Sequence, residues 1–204
     1  MALTNAYCTL AEVKAALRIP VADTTDDALI ENSINSASRL IDNYCEREFY
    51  QAGTATRYYA AANELVVEVD DLAGTAITLA TDDTAQGTFD IVWTPADYQL
   101  EPLNGKLAGQ TWPYTRIRAA LNYLFPVENG LALVKVTGVF GWPSVPAAVN
   151  TACILQAQRL FKRFDSPTGV LGFGDMGAIR VTRQIDPDVA QLLTPYAKTV
   201  IGIA

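Results

Sequence analysis

The spacing of apolar positions changes period twice along the chain, and each change marks a change of secondary structure. Near the start, TLAEVKAALR places Thr9 three residues before Glu12. In that spacing each side chain satisfies a free backbone N–H of the other at a helix start. The pattern predicts a short helix from about Leu10 to Arg18 that ends at Pro20, because the residue before a proline avoids helical backbone. Thr25, Asp26 and Asp27 announce a second helix, their acidic groups suiting the positive end of the helix dipole. Leu29, Ile30, Ile34, Ala37, Leu40, Ile41, Tyr44 and Cys45 then recur at spacings of three and four, one stripe over about five turns. Such a stripe has to be covered.

From about Gly53 to Gly141 the helical period is lost. Short runs rich in Val, Ile, Thr and Tyr alternate with Gly, Asn, Asp and Pro clusters, the composition of strands and turns. The predicted strands are Thr56 to Ala60, Glu64 to Val69, Ala76 to Thr81, Thr88 to Trp93, Tyr98 to Glu101, Thr115 to Arg118 and Leu131 to Phe140. Thr81 to Gly87 has the polarity and terminal glycine of a hairpin connection. A small antiparallel sheet system follows, a sandwich or partial barrel.

Helical spacing returns after Trp142 and Pro143. Ser144 is placed to cap a helix with Pro146 in its first turn, and Val149, Cys153, Ala157, Leu160, Phe161 and Phe164 share one face, the natural partner of the second helix's stripe. Asp165 to Gly177 is glycine-rich, Ala178 to Ile185 can be extended, and Asp186-Pro187 opens a last helix through Val189, Leu192 and Leu193. The expected class is α+β: a core of about four helices interrupted by a small antiparallel β insertion. The expected division is residues 1–53 and 142–204 for the helical core and 54–141 for the insertion, with a flexible glycine-rich loop over 165–184 and a C-terminal helix over 186–198.

Composition narrows the chemistry. The 204 residues include no histidine, which removes Ser-His-Asp triads, Cys-His pairs, HExxH zinc sites and histidine proton shuttles. Half the residues are hydrophobic and 18% charged, enough apolar material for a core. Fifteen Lys and Arg against 22 Asp and Glu give a net charge of −7, which opposes wrapping a phosphate backbone. The charge is uneven: residues 1–55 carry −4, residues 56–141 carry −5 and residues 142–204 carry +2. Arg159, Lys162, Arg163, Arg180, Arg183 and Lys198 make the last section the one able to favour an acidic partner surface, although solvated helix faces account for them equally simply. Cys8, Cys45 and Cys153 form no CxxC pair and read as reduced core residues. No secretory signal is expected at the start, and the long uncharged stretch from Val136 to Gln158 is broken by glycines and prolines, which argues against a membrane span.

The candidate motifs are weak in context. Gly172-Phe173-Gly174-Asp175-Met176-Gly177 is a literal GxGxxG, but it follows a helix and precedes a strand-like run, the reverse of a dinucleotide fingerprint. The pairs Asp26-Asp27, Asp70-Asp71 and Asp82-Asp83 read as turn and cap chemistry, since strand neighbours point to opposite faces. Tyr58, Tyr59, Trp93, Trp112, Tyr114 and Trp142 leave open a sugar- or base-stacking platform beside ordinary packing. No catalytic, cofactor-binding or metal-binding residue is assigned, and no cofactor.

Three blocks resemble the head-tail connector, or head-completion adaptor, proteins of tailed bacteriophages: YCTLAEVKAALRI from Tyr7, DDALIENSINSASRLIDNYCEREF from Asp26, and VTGVFGWPSVPAAVNTACILQAQRLFKR from Val136. The ending DPDVAQLLTPYAK from Asp186 is similar to the family's last helix, whereas the long β insertion departs from compact members. The resemblance implies a structural virion protein without enzymatic activity. It implies a dodecameric ring of copies at the virion neck beneath the portal protein, assembled in the host cytoplasm, contacting a stopper or tail-completion protein and passing DNA through its lumen without sequence-specific binding or membrane contact. It further implies a docking loop containing Gly169, Gly172, Gly174 and Gly177, and portal contacts among Arg180, Arg183, Gln184, Leu192, Leu193, Tyr196 and Lys198. Removing residues 165–204 is then expected to leave a folded domain that no longer attaches to heads. A tail-side completion protein and a carbohydrate-binding or glycosidase-like β module are the alternatives.

Overall fold

A computed structural model of the chain describes residues 2–104, 106–107, 110–164, 170–172, 178–180 and 185–198. It has the expected α+β composition, and it divides into two compact units: Met1–Arg47 with Val145–Ala204, and Glu48–Ser144.

The first unit is helical. Helix α1 spans Leu10–Leu17 and opens with the capping box: Thr9 Oγ1 accepts from the Glu12 N–H at 3.2 Å while Glu12 Oε2 accepts from the Thr9 N–H at 2.7 Å. Arg18, in the left-handed region at φ 61°, ends it ahead of Pro20. Replacing Thr9 by Ala removes the cap; a loss of about 1 kcal/mol in urea unfolding is expected, and an unchanged midpoint would show that the cap is dispensable.

Helix α2 covers Asp27–Cys45 and buries Ile30, Ile34, Ala37, Ile41 and Cys45, the predicted stripe, with Ser33 and Ser38 returning their hydroxyls to the carbonyls of Leu29 and Ile34. Leu40 and Tyr44, the outer members of that stripe, stay partly exposed. Helix α3, Ala147–Phe164, packs on α2 through Val149, Ala152, Cys153 and Ala157. Pro146 lies just outside α3 rather than in its first turn, and its carbonyl accepts from Asn150 N–H at 2.9 Å. Helix α4, Pro187–Leu193, runs into a 3-10 turn at Thr194–Tyr196.

In the described part of the segment before α4, β10 (Val170–Gly172) pairs antiparallel with β11 (Ala178–Arg180), Gly172 opposite Ala178; the rest of the loop expected over 165–184 lies outside the described residues. The aliphatic residues flanking the central glycines supply the two short strands.

Among the described residues the second unit holds the other nine strands. Strands β1 (Thr54–Tyr59), β3 (Thr78–Thr81), β4 (Ile91–Trp93) and β9 (Val134–Val139) form one antiparallel sheet in the order β1-β9-β3-β4. Strands β2 (Val66–Leu72), β5 (Tyr98–Glu101) and β8 (Tyr114–Ala119) form a second, in the order β2-β8-β5. A two-residue pair, β6 (Lys106–Leu107) with β7 (Gln110–Thr111), is too short to leave a period in the sequence. Val67, Leu72 and Ile117 from one sheet and Leu79, Val134 and Val136 from the other share a single buried cluster, the expected sandwich.

The β3–β4 connection is organised by Asp82, which is fully buried. Its carboxylate accepts from the Thr84 hydroxyl at 3.0 Å and from the Thr84 and Gly87 N–H groups, and Gly87 turns the chain at φ +82°. Burial works against the charged form, but these donors hold the carboxyl below its ordinary range.

Candidate docking site on the helical unit

The C-terminal helix is set in place from both ends. Asp186 caps it, its side chain accepting from the Asp188 N–H at 3.0 Å, and the same carboxylate takes Nη1 of Arg159 on α3 at 2.8 Å. Pro187 then occupies the first turn, where its missing N–H costs no hydrogen bond. Val189 and Leu193 are fully buried and Tyr196 nearly so, and the Lys198 N–H donates to the carbonyl of Cys45 at 2.9 Å, closing the α2 terminus.

Between α2, α3 and α4 lies a groove of about 680 Å³ with Leu40 and Tyr44 on one wall, Gln156, Leu160 and Arg163 on the next and Ala190 on the third. Gln156 is 5% exposed, and its Oε1 accepts no hydrogen bond from the described residues.

The expected contact residues fall into three groups. Leu193 and Tyr196 are buried within the helical unit, where they hold α4, while Leu192 and Lys198 are half-buried. Gly172 ends β10 and Arg180 ends β11, opposite Val170. Gly169, Gly174, Gly177, Arg183 and Gln184 lie outside the described residues. The burial of Val189, Leu193 and Tyr196 also changes the expected outcome of removing residues 165–204: the cut strips core side chains from the helical unit, so it does not leave an intact domain.

The acidic pairs have structural partners. Asp27 holds the ammonium of Lys14 at 2.7 Å; Lys14 is only 1% exposed and also donates to the carbonyls of Val21 and Asp23. Asp70 accepts from Arg57 at 2.7 Å and from the Tyr59 hydroxyl at 3.1 Å, and its neighbour Asp71 accepts from Trp142 Nε1 at 3.1 Å. Burial, followed by the Asp70 charge, pushes the Tyr59 phenol above its ordinary range. Trp93 offers no open face: it stacks on Phe125 at 4.6 Å, tilts against Tyr123, and donates Nε1 to Thr81. Trp112 rests against Trp142 at 4.9 Å. Among the described residues no three His, Cys, Asp or Glu side chains gather as a metal site needs, and no helix is long and apolar enough to cross a membrane.

Sequence reasoning missed two features of this unit. Lys14 sits on the apolar side of α1 and would pass for a solvated charge, and the proximity of Cys8 to Cys153 leaves no trace in residue spacing.

Residues 7–76, which carry α1, α2 and the start of the β unit, match the model of the phage gp6-like head-tail connector proteins. Over those residues the chain is similar to the phage head-tail connector proteins. The chain also shares its fold with chains in three solved structures. They are the virion of the native gene transfer agent particle (TM-score 0.56), the neck of the native particle computed with C12 symmetry (0.56) and the neck of the empty particle computed with C6 symmetry (0.54). Each is 16% identical and is matched over 97% of this chain and 92% of its own. A match of that extent has to include the β unit, so the insertion is no peculiarity of this chain. No curated protein matches it significantly.

Proposed function

We propose that the chain is a structural connector at the neck of a tailed phage or phage-like particle, assembled as a ring of its own copies beneath the portal protein. The observation that carries this reading is the agreement of the family match over residues 7–76 with a fold likeness that extends over 97% of the chain to proteins of particle necks. The acidic composition supports a lumen that DNA crosses without sticking. The relative positive charge after residue 142 supports portal contact by the C-terminal section, with Arg180, Arg183, Gln184, Leu192 and Lys198 as the contacting residues. Gly169, Gly172, Gly174 and Gly177 belong to the docking segment in this reading, while Leu193 and Tyr196 serve it by anchoring α4. A stopper or tail-completion protein is the partner on the far side. The role requires no catalytic residue and no cofactor.

The test is where the protein remains when tail assembly is blocked. In such a lysate it is expected to sediment with DNA-filled, tailless heads. Recovery on free tails, with heads devoid of it, would overturn the portal-side placement in favour of a tail-side completion protein.

A further inference from the structure

Cys8 and Cys153 come from opposite ends of the sequence and meet inside the helical unit, with their sulfurs 3.2 Å apart. Cys8 lies in the bend just before the Thr9 cap and is 5% exposed; Cys153 is in the middle of α3 and fully buried. The surroundings are polar for a core. Ser38 Oγ is 3.5 Å from Cys153 Sγ and accepts the Tyr7 N–H at 3.2 Å, and Asn150 Nδ2 donates to the Tyr7 carbonyl at 2.9 Å. The hydrogen bond from Cys8 holds the Cys153 thiol below its ordinary value; burial opposes this, while Ser38 and the backbone at Tyr7 and Cys8 add to it, and the same contact, followed by burial, pushes Cys8 up, so Cys8 is the donor. Two sulfurs in contact, one of them the more acidic, are the arrangement from which a disulfide forms once the more acidic thiol loses its proton. The sulfurs need to close by about 1 Å to reach bonding distance, and the non-helical position of Cys8 lets it supply that movement.

We propose that Cys8 and Cys153 are a modification site, a dithiol that a small oxidant converts to a disulfide pinning the segment ahead of α1 to α3. With hydrogen peroxide, the Cys153 thiolate attacks one peroxide oxygen, the O–O bond breaks, and hydroxide leaves behind a sulfenic acid. The Cys8 sulfur then attacks the Cys153 sulfur; the S–O bond breaks, the S–S bond forms, and the Cys8 proton departs in water. Two thiols and one peroxide yield one disulfide and two waters. Cys45 has no part in this: the sulfur contact is between Cys8 and Cys153, and burial pushes the Cys45 thiol up to about 12. The bridge would close a loop containing the whole β unit, and long closed loops gain most from a cross-link. An oxidising exterior favours the bridge and a reducing cytoplasm the dithiol. The proposal is independent of the connector reading.

The native full-length protein is exposed to peroxide, its remaining thiols are blocked, and it is digested without reductant for mass spectrometry. The expected result is a linked peptide pair containing Cys8 and Cys153, two hydrogen atoms lighter than the separate peptides, with Cys45 recovered as a blocked thiol. The oxidised protein also unfolds at higher urea concentration than the reduced one, and Cys45→Ala, whatever its stability, still gives the linked Cys8–Cys153 pair. Three blocked thiols after oxidant treatment that converts an exposed dithiol control would overturn the proposal, as would a bridge to Cys45 or between chains. Peptide mapping of the wild type decides the matter even if Cys8→Ala or Cys153→Ala fails to fold.

Discussion

Gly141→Ala is expected to cost about 4 kcal/mol or more, the largest loss from a Gly→Ala change among the described glycines whose surroundings are known. Gly141 sits at φ +107°, where a side chain strains the backbone, and a Cβ there would lie 1.8 Å from the carbonyl oxygen of Tyr50 and 2.9 Å from its carbon. Both obstructing atoms are backbone, so no change of rotamer relieves the clash. The residue cannot retreat cheaply either, because its N–H donates to the carbonyl of Asp71 at 2.7 Å and the neighbouring Phe140 carbonyl accepts from Ala52. These bonds tie the segment entering the β unit to the one leaving it. Gly130→Ala is the control: at φ +75° with nothing near its added Cβ, it carries the conformational cost alone, about 1–2 kcal/mol. Urea midpoints that place the two variants together would show that the Tyr50 contact does not determine Gly141.

Trp142→Ala is the second large effect, about 3–5 kcal/mol by the same measurement. The indole is fully buried, lies 5.1 Å from the Phe49 ring and 4.9 Å from the Trp112 ring, and donates Nε1 to the carboxylate of Asp71 at 3.1 Å. Trp142→Phe separates the contributions. It keeps an aromatic ring in the gap and removes one donor from a buried carboxylate, so it should cost about 1–3 kcal/mol. A Phe variant as unstable as the Ala variant would mean that the hydrogen bond, and not ring packing, holds this corner.

Much of the helical unit could be read from the sequence because helix signals are local. Thr9 and Glu12 encode the start of α1, and the repeat from Ile30 to Cys45 encodes the buried face of α2. Period alone could not say how wide that face is, so Leu40 and Tyr44 were grouped with the core although they line a groove. The strands were legible as runs of Val, Ile and Thr, but their order was not: β9 inserts between β1 and β3 through pairings such as Thr56 with Thr137, far apart in sequence. Side-chain partnerships across long separations were likewise hidden. Lys14 is recognisable as a buried cation only once Asp27 and the carbonyls of Val21 and Asp23 surround it. The proposed docking site was legible in part. The basic C-terminal section and the capped α4 are plain in the residues, whereas the burial of Leu193 and Tyr196 depends on α4 folding back onto the other helices.

The central claim is a place in the particle, and imaging tests it most directly. The protein is tagged in its native source, particles are purified from late lysates without crosslinking, and the tag is located by electron microscopy. Label at the necks of DNA-filled particles is the predicted result; tag confined to free protein beside normal, unlabelled particles would contradict it.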